Sequence, residues 1–160
     1  MTDENKQMMN LDQPKPNDIV AEKEYIGTIL KLAQDKSIRL WTDELTKDDF
    51  YIPLHATIFK AICDMKEQFL FVCERTVKEY MLERNIIKKH SHEEDLVDMV
   101  MITSRDNAKD NLPCLSEIAS RIKMKSELRH IIATCTEAIQ RCYIGDENPS
   151  DIASFIKNSI

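Results

Sequence analysis

A chain of 160 residues with 22 Lys and Arg against 28 Asp and Glu carries a formal net charge of -6. That balance opposes binding of a phosphate backbone by the chain as a whole, which needs a clustered excess of cations. Its two glycines, Gly27 and Gly145, are too few for a Walker phosphate loop, a GxGxxG dinucleotide turn or a GxSxG nucleophile elbow, so this chain alone is no P-loop ATPase.

Scarce glycine, 6% aromatic content and abundant Met, Leu, Ile, Lys and Glu predict an all-α fold, because strands draw on turn glycines and on β-branched or aromatic runs. Residues 1–16 are polar, lack periodicity and end in Pro14-Lys15-Pro16, the pattern of a flexible N-terminal arm. Asp18 then caps a helix over about 18–33, with Ile19, Ile26, Ile29 and Leu30 at helical spacing and Glu22 and Glu24 early, where the dipole favours acids. Gly27 inside that helix implies the close approach of another helix. Between 34 and 52 the periodicity breaks, with a short helix expected near 37–41 and Trp41 in the core. Pro53 opens a second helix, about 53–68, with Ile58, Phe59, Ile62, Met65 and Phe69 on one face. The apolar run Phe69-Leu70-Phe71-Val72 resembles a strand but has no sheet to join. A third helix, about 75–85, carries Val77, Tyr80 and Met81 behind Thr76.

A charged connector containing His90, His92, Glu93, Glu94 and Asp95 leads to a short apolar helix, 96–102, and a polar loop, 103–111. From Pro113, Leu115, Ile118, Ile122, Leu128, Ile132, Cys135, Ile139 and Cys142 keep a three-four alternation that predicts a helix of about thirty residues. Gly145 supplies a left-handed stop and Ser150 caps a last helix through Ile152, Phe155 and Ile156. The predicted architecture is a compact helical bundle followed by a long αα-hairpin: an arm at 1–16, a helical body at 17–111 and the hairpin at 112–160. Five scattered cysteines without a CxxC pair, no secretory h-region and no apolar stretch near the ~20 residues of a membrane span predict a reduced, cytoplasmic protein without membrane contact.

Few residues invite chemistry. His55 sits among Ile58, Phe59 and Ile62, where a hydrogen-bonded structural histidine is the expectation. His90 and His92 with the following acids could hold a divalent metal in a small metal-dependent regulator, but residues two apart do not share a helix face and no third imidazole lies nearby in sequence. Solvated connector is the simpler reading. Cys135 and Cys142 share a helix face about 10 Å apart, beyond disulfide reach, and are expected as small packing residues or at a self-association seam. Lys123, Lys125, Arg129 and Arg141 give the long helix a local basic excess, read as a solvated outer face or as a patch for an acidic partner. Asp48-Asp49 is explained by capping.

Two stretches resemble the N-terminal domain of the DnaB family of bacterial and phage replicative DNA helicases. The first runs Pro16-Asn17-Asp18-Ile19-Val20-Ala21-Glu22-Lys23 and on through Tyr25-Ile26-Gly27-Thr28-Ile29-Leu30; the second is Asp49-Phe50-Tyr51-x-Pro53-x-His55-x-x-Ile58-Phe59-x-Ala61-Ile62. Ile118 to Ile122 followed by Leu128-Arg129 is similar to a third, weaker motif. Departures exist: Phe71 to Arg75 replaces the family's usual residues ahead of Thr76-Val77, Ile118 stands for a frequent Tyr, and the Lys88 to Asp95 cluster replaces glycines, all of which point to a divergent or stand-alone version.

The resemblance implies Ala21, Glu22, Gly27, Phe50, Tyr51, Pro53, His55, Ile58 and Phe59 as structural motif residues. It also implies a non-catalytic interaction domain without cofactor, metal or catalytic residue, which pairs through its hairpin and docks primase or a helicase loader, with DNA contacted weakly or indirectly. The motor would lie beyond Ile160. An apolar stripe longer than one short helix can cover independently predicts self-association or partner binding, over Leu115, Ile118, Ile122, Lys125, Leu128, Arg129, Ile132, Cys135 and Ile139. Alternatives are a stand-alone phage or mobile-element mimic that binds a host helicase or its loader, the metal-dependent regulator above, and a repressor with a concealed helix-turn-helix, against which the acidic balance argues.

Overall fold

The computed structural model describes residues 14–33, 44–89, 91, 94, 97, 98, 100 and 112–159. The expected helix near 37–41 with Trp41, the pair His90 and His92, the loop 103–111 and most of the arm lie outside the described residues. These residues form α1 (Ile19–Leu32), a 3-10 turn η1 (Lys47–Asp49), α2 (Pro53–Glu67), α3 (Glu74–Glu83), α4 (Leu112–Ile144) and α5 (Pro149–Ser159). The fold is all-helical, with no strand among the described residues.

Local chemistry sets the helix ends. Asp18 caps α1 by accepting the Ala21 N–H at 2.9 Å, and Lys31 lies in the last turn opposite Glu22 in the first. Pro53 is the first residue of α2, where its missing N–H costs nothing. Two expectations shift here. α3 begins at Glu74, because the Cys73 N–H donates to Thr76 Oγ1 at 2.9 Å and Thr76 thereby lies inside the first turn. α5 begins at Pro149 rather than behind Ser150; the Asn148 carbonyl accepts the first bonds, from Asp151 at 2.9 Å and Ile152 at 3.3 Å. Gly145 does adopt the left-handed conformation, φ 75°, and its N–H bonds to the Arg141 carbonyl.

The chain divides into two compact units, Asn17–His130 and a second that starts at Ile131. In the first, α2 packs on α1, η1 and α3 around Tyr25, Phe50 and Phe59, whose ring centroids lie 4.9 to 6.4 Å apart. Ile26, Ile29, Ile58, Ile62, Val77 and Met81 complete this core. Leu115, Ile118, Ala119 and Ile122 of α4 belong to it too. The boundary expected at residue 112 therefore falls at 130/131, since the opening turns of α4 bury their apolar residues with the body. In the second unit the Arg141 guanidinium stacks 4.0 Å over the Phe155 ring and meets Glu147 at 3.5 Å, joining the end of α4 to α5 as a hairpin.

Candidate functional site

Glu22 lies in the first turn of α1 and is almost fully buried. Isolated burial of a carboxylate is prohibitive, so its partners decide what it does. Its Oε1 accepts the Tyr51 N–H at 2.6 Å, and its Oε2 accepts the Ile52 N–H at 3.3 Å and faces His55 Nδ1 at 2.7 Å. Carboxylate oxygens only accept, so Nδ1 carries the proton in this contact. Ile52 offers α2 no side-chain cap; the Glu22 carboxylate instead holds the two N–H groups just ahead of the helix, those of Tyr51 and Ile52, and puts negative charge near the positive end of the α2 dipole. Two sequence motifs 29 to 33 residues apart thus meet at one carboxylate. With three donors converging and both partners 2% exposed, the pair has no open face toward a substrate. His55, expected as a hydrogen-bonded histidine among apolar neighbours, is buried against this carboxylate.

Around it, Ala21, Gly27, Phe50, Ile58 and Phe59 are buried, Tyr51 is half-buried and Pro53 exposed. Asp49 forms a second knot. Its carboxylate accepts the Thr46 N–H at 2.7 Å, the Thr46 hydroxyl at 3.0 Å and the Lys123 ammonium at 3.0 Å. Arg129 donates to the Asp49 carbonyl at 2.6 Å and lies 5.8 Å over the Tyr51 ring. Burial pushes the Asp49 carboxyl up, but the bonds from Thr46, Lys123 and Ser126 outweigh it and hold the group below its ordinary value. Asp18 behaves alike: burial raises it, while the Ala21 N–H, the bond from Arg121 at 2.7 Å and the nearby Lys125 charge win and lower it. The basic residues Lys123 and Arg129 are therefore ties between α4 and the body, which corrects the expectation of a solvated face. No local pattern announced those partners, which lie 74 to 103 residues away.

The expected interaction stripe divides. Leu115, Ile118 and Ile122 are core residues, Lys125 and Arg129 are half-buried, and Leu128 is 40% exposed. From Ile131 onward Ile131, Ile132, Cys135, Ile139, Cys142 and Tyr143 are all exposed. Their three-four spacing lays them on one face of α4. Cys135 and Cys142 are free thiols at the surface, not packing residues. By contrast, burial pushes the Cys63 thiol of α2 up to about 11. Among the described residues no three His, Cys, Asp or Glu side chains converge as for a metal, and no helix is long and apolar enough to cross a membrane.

The arrangement matches a known domain. Residues 14–117 match the DnaB-like helicase N terminal domain. The chain belongs to that family. The N-terminal domain of DnaB helicase from Mycobacterium tuberculosis superposes with a TM-score of 0.71 at 20% identity, over 92% of this chain and 98% of that one, and shares its fold. Comparison with curated proteins gives no match. The DnaB match takes in both motifs that meet at Glu22 and ends early in α4, at the turns that complete the body. As a helicase N-terminal domain the chain corresponds to the non-catalytic part of a replicative helicase.

Proposed function

We propose that this DnaB-type domain acts in DNA replication as an interaction module, associating with itself through the hairpin and presenting the resulting assembly to a primase or a helicase loader. The observation that supports this most is the run of exposed Ile131, Ile132, Cys135, Ile139 and Tyr143 on α4. Water contacts these side chains in the single chain, and a contiguous apolar stripe of this kind gains free energy when a partner covers it. Contact with DNA is weak or indirect, in keeping with the net charge of -6.

The test is sedimentation velocity on the wild type and on Ile132→Asp/Ile139→Asp. Wild-type mass is expected to rise with concentration to at least twice 18.6 kDa, and the double variant to stay monomeric with unchanged helix content. A monomeric wild type at every concentration, or a variant that associates equally well, would remove the self-association reading. Immobilised wild type and variant challenged with purified primase and loader then separate docking that needs the assembly from docking that does not.

A further inference from the structure

The side of α4 that carries the exposed stripe also holds the point where the N-terminal arm joins the body. From Arg121 the steps to Lys125, Leu128, Ile132, Cys135 and Ile139 alternate between four and three residues. That alternation keeps them on one side of the helix. Asp18, the N-cap of α1, is bound at the start of this row. Arg121 donates to its Oδ2 through Nη2 at 2.7 Å and through Nε at 3.2 Å, and lies 3.6 Å from Glu24. The Lys125 charge acts on the same carboxylate. The chain ahead of α1 therefore departs from the face of α4 that the stripe continues.

The departure is fixed. Pro16 and Asn17 are half-buried, and Pro16 restricts Lys15 to extended backbone. By its contacts the segment Pro14 to Pro16 groups with the hairpin that starts at Ile131 and not with the body.

Residues 1–13 lie outside the described residues, and their sequence has the length and composition to cover the first part of the stripe. At 1.5 Å per residue along α4, Leu128 lies ~10 Å and Cys135 ~21 Å beyond Arg121. Leu11 stands seven residues before Asp18 and Met8 ten before it, spans of up to ~23 Å and ~33 Å at about 3.3 Å per residue. Gln7-Met8-Met9-Asn10-Leu11 is the longest uncharged run of the arm. Methionine fits its unbranched side chain to an uneven surface, and the stripe alternates branched Ile with the smaller Cys.

We infer that in the dilute chain the arm lies along α4 from Leu128 to Cys135, with Met8, Met9 and Leu11 over the apolar side chains, and that it has to leave before a second copy can bind. Only the second half rests on the proposed self-association; the arm covers its own chain whether or not copies pair. The cover is partial, since Ile139 and Tyr143 lie beyond it. A segment tethered beside its site acts at an effective concentration of millimolar order, so even a contact of three side chains competes. The apparent affinity between copies falls with the fraction of chains whose face is open.

The test compares the whole chain with Met8→Ser/Met9→Ser/Leu11→Ser at concentrations where both sediment as monomers. Maleimide alkylation of Cys135 is expected to run about threefold faster in the arm variant, the change for a face closed in two chains of three. Cys142, past the covered stretch, should change less, and Cys63, half-buried with its thiol pushed up to about 11, should stay slow in both. Equal Cys135 rates overturn the inference. So does a difference that shrinks on further dilution, which would put the arm on another chain, or an equal acceleration of all three thiols, which would mean general loosening. Sedimentation at rising concentration reads the competition. The arm variant is expected to associate about ninefold more tightly, the square of the same factor, because both copies have to open. Faster alkylation with unchanged association overturns the competition. If both chains stay monomeric at every concentration, the self-association reading fails and takes the competition with it, while the dilute Cys135 rates still decide where the arm lies.

Discussion

The body and the hairpin spend their apolar residues differently. In Asn17–His130, large side chains from α1, α2, α3 and the start of α4 bury one another, and each buried charge has a partner: Glu22 with His55 and two backbone N–H groups, Asp49 with Thr46 and Lys123. In the unit that begins at Ile131 only Thr134, Ala138 and Ile152 are buried among the described residues, while Ile131, Ile132, Ile139, Tyr143 and Ile144 face water. The first unit leaves Phe69, Leu70 and Phe71 exposed at one turn but buries the apolar faces of its helices. The second leaves a helix face exposed to water, although both draw on the same helix and the same three-four spacing. Periodicity thus marks the apolar side of a helix without saying which chain covers it.

Substitutions can break this contrast at several strengths. Glu22→Leu should cost most, about 3 to 5 kcal/mol, because it strands the His55 ring and two buried N–H groups at the start of α2; urea unfolding of the body measures it. Next, Ile62→Ala, at a fully buried site, should cost about 2 to 5 kcal/mol. Ile139→Ala should change the stability of the dilute chain by less than about 0.5 kcal/mol and weaken association instead. Equal costs at the two sites would erase the distinction between body and hairpin. Phe69→Asn works in the opposite direction, adding about 1 kcal/mol by relieving the left-handed conformation of Phe69 after α2, which thermal unfolding reads as a higher midpoint.

The smallest effect is acid sensitivity. Asp18 and Asp49 are held below the ordinary 3.8 in the folded chain. Their contribution is present above that value and disappears as pH falls through their lower folded values. Asp18→Asn/Asp49→Asn should therefore lower stability at pH 7 and flatten its decline below about pH 4. An unchanged acid profile would mean that these carboxylates do not hold α4 to the body.

Much of the fold was legible because local signals were strong. Asp18 and Pro53 marked helix starts to within a residue, and the run from Leu115 to Cys142 marked α4. His55 announced a structural role by its apolar neighbours, but its partner Glu22 lies 33 residues earlier and only the tertiary fold brings them together. The ties of Lys123, Arg129 and Arg121 to Asp49 and Asp18 were invisible for the same reason. The Phe69 stop was missed because a left-handed turn without glycine or asparagine carries no sequence signature. Among the expected interface residues, Leu115, Ile118 and Ile122 shared a pattern with Ile132 and Ile139, and only the packing of the body separates the two sets.

The central claim, that the exposed face of α4 beyond Ile131 is covered by another copy of the chain, is tested most directly by its own thiols. Cys135 and Cys142 lie on that face and are exposed in the single chain. Their alkylation by a maleimide, followed by peptide mass analysis across a concentration series, should slow in step with the rise in sedimenting mass. Rates at Cys135 and Cys142 that stay constant while the mass rises would contradict the account and place the contact elsewhere.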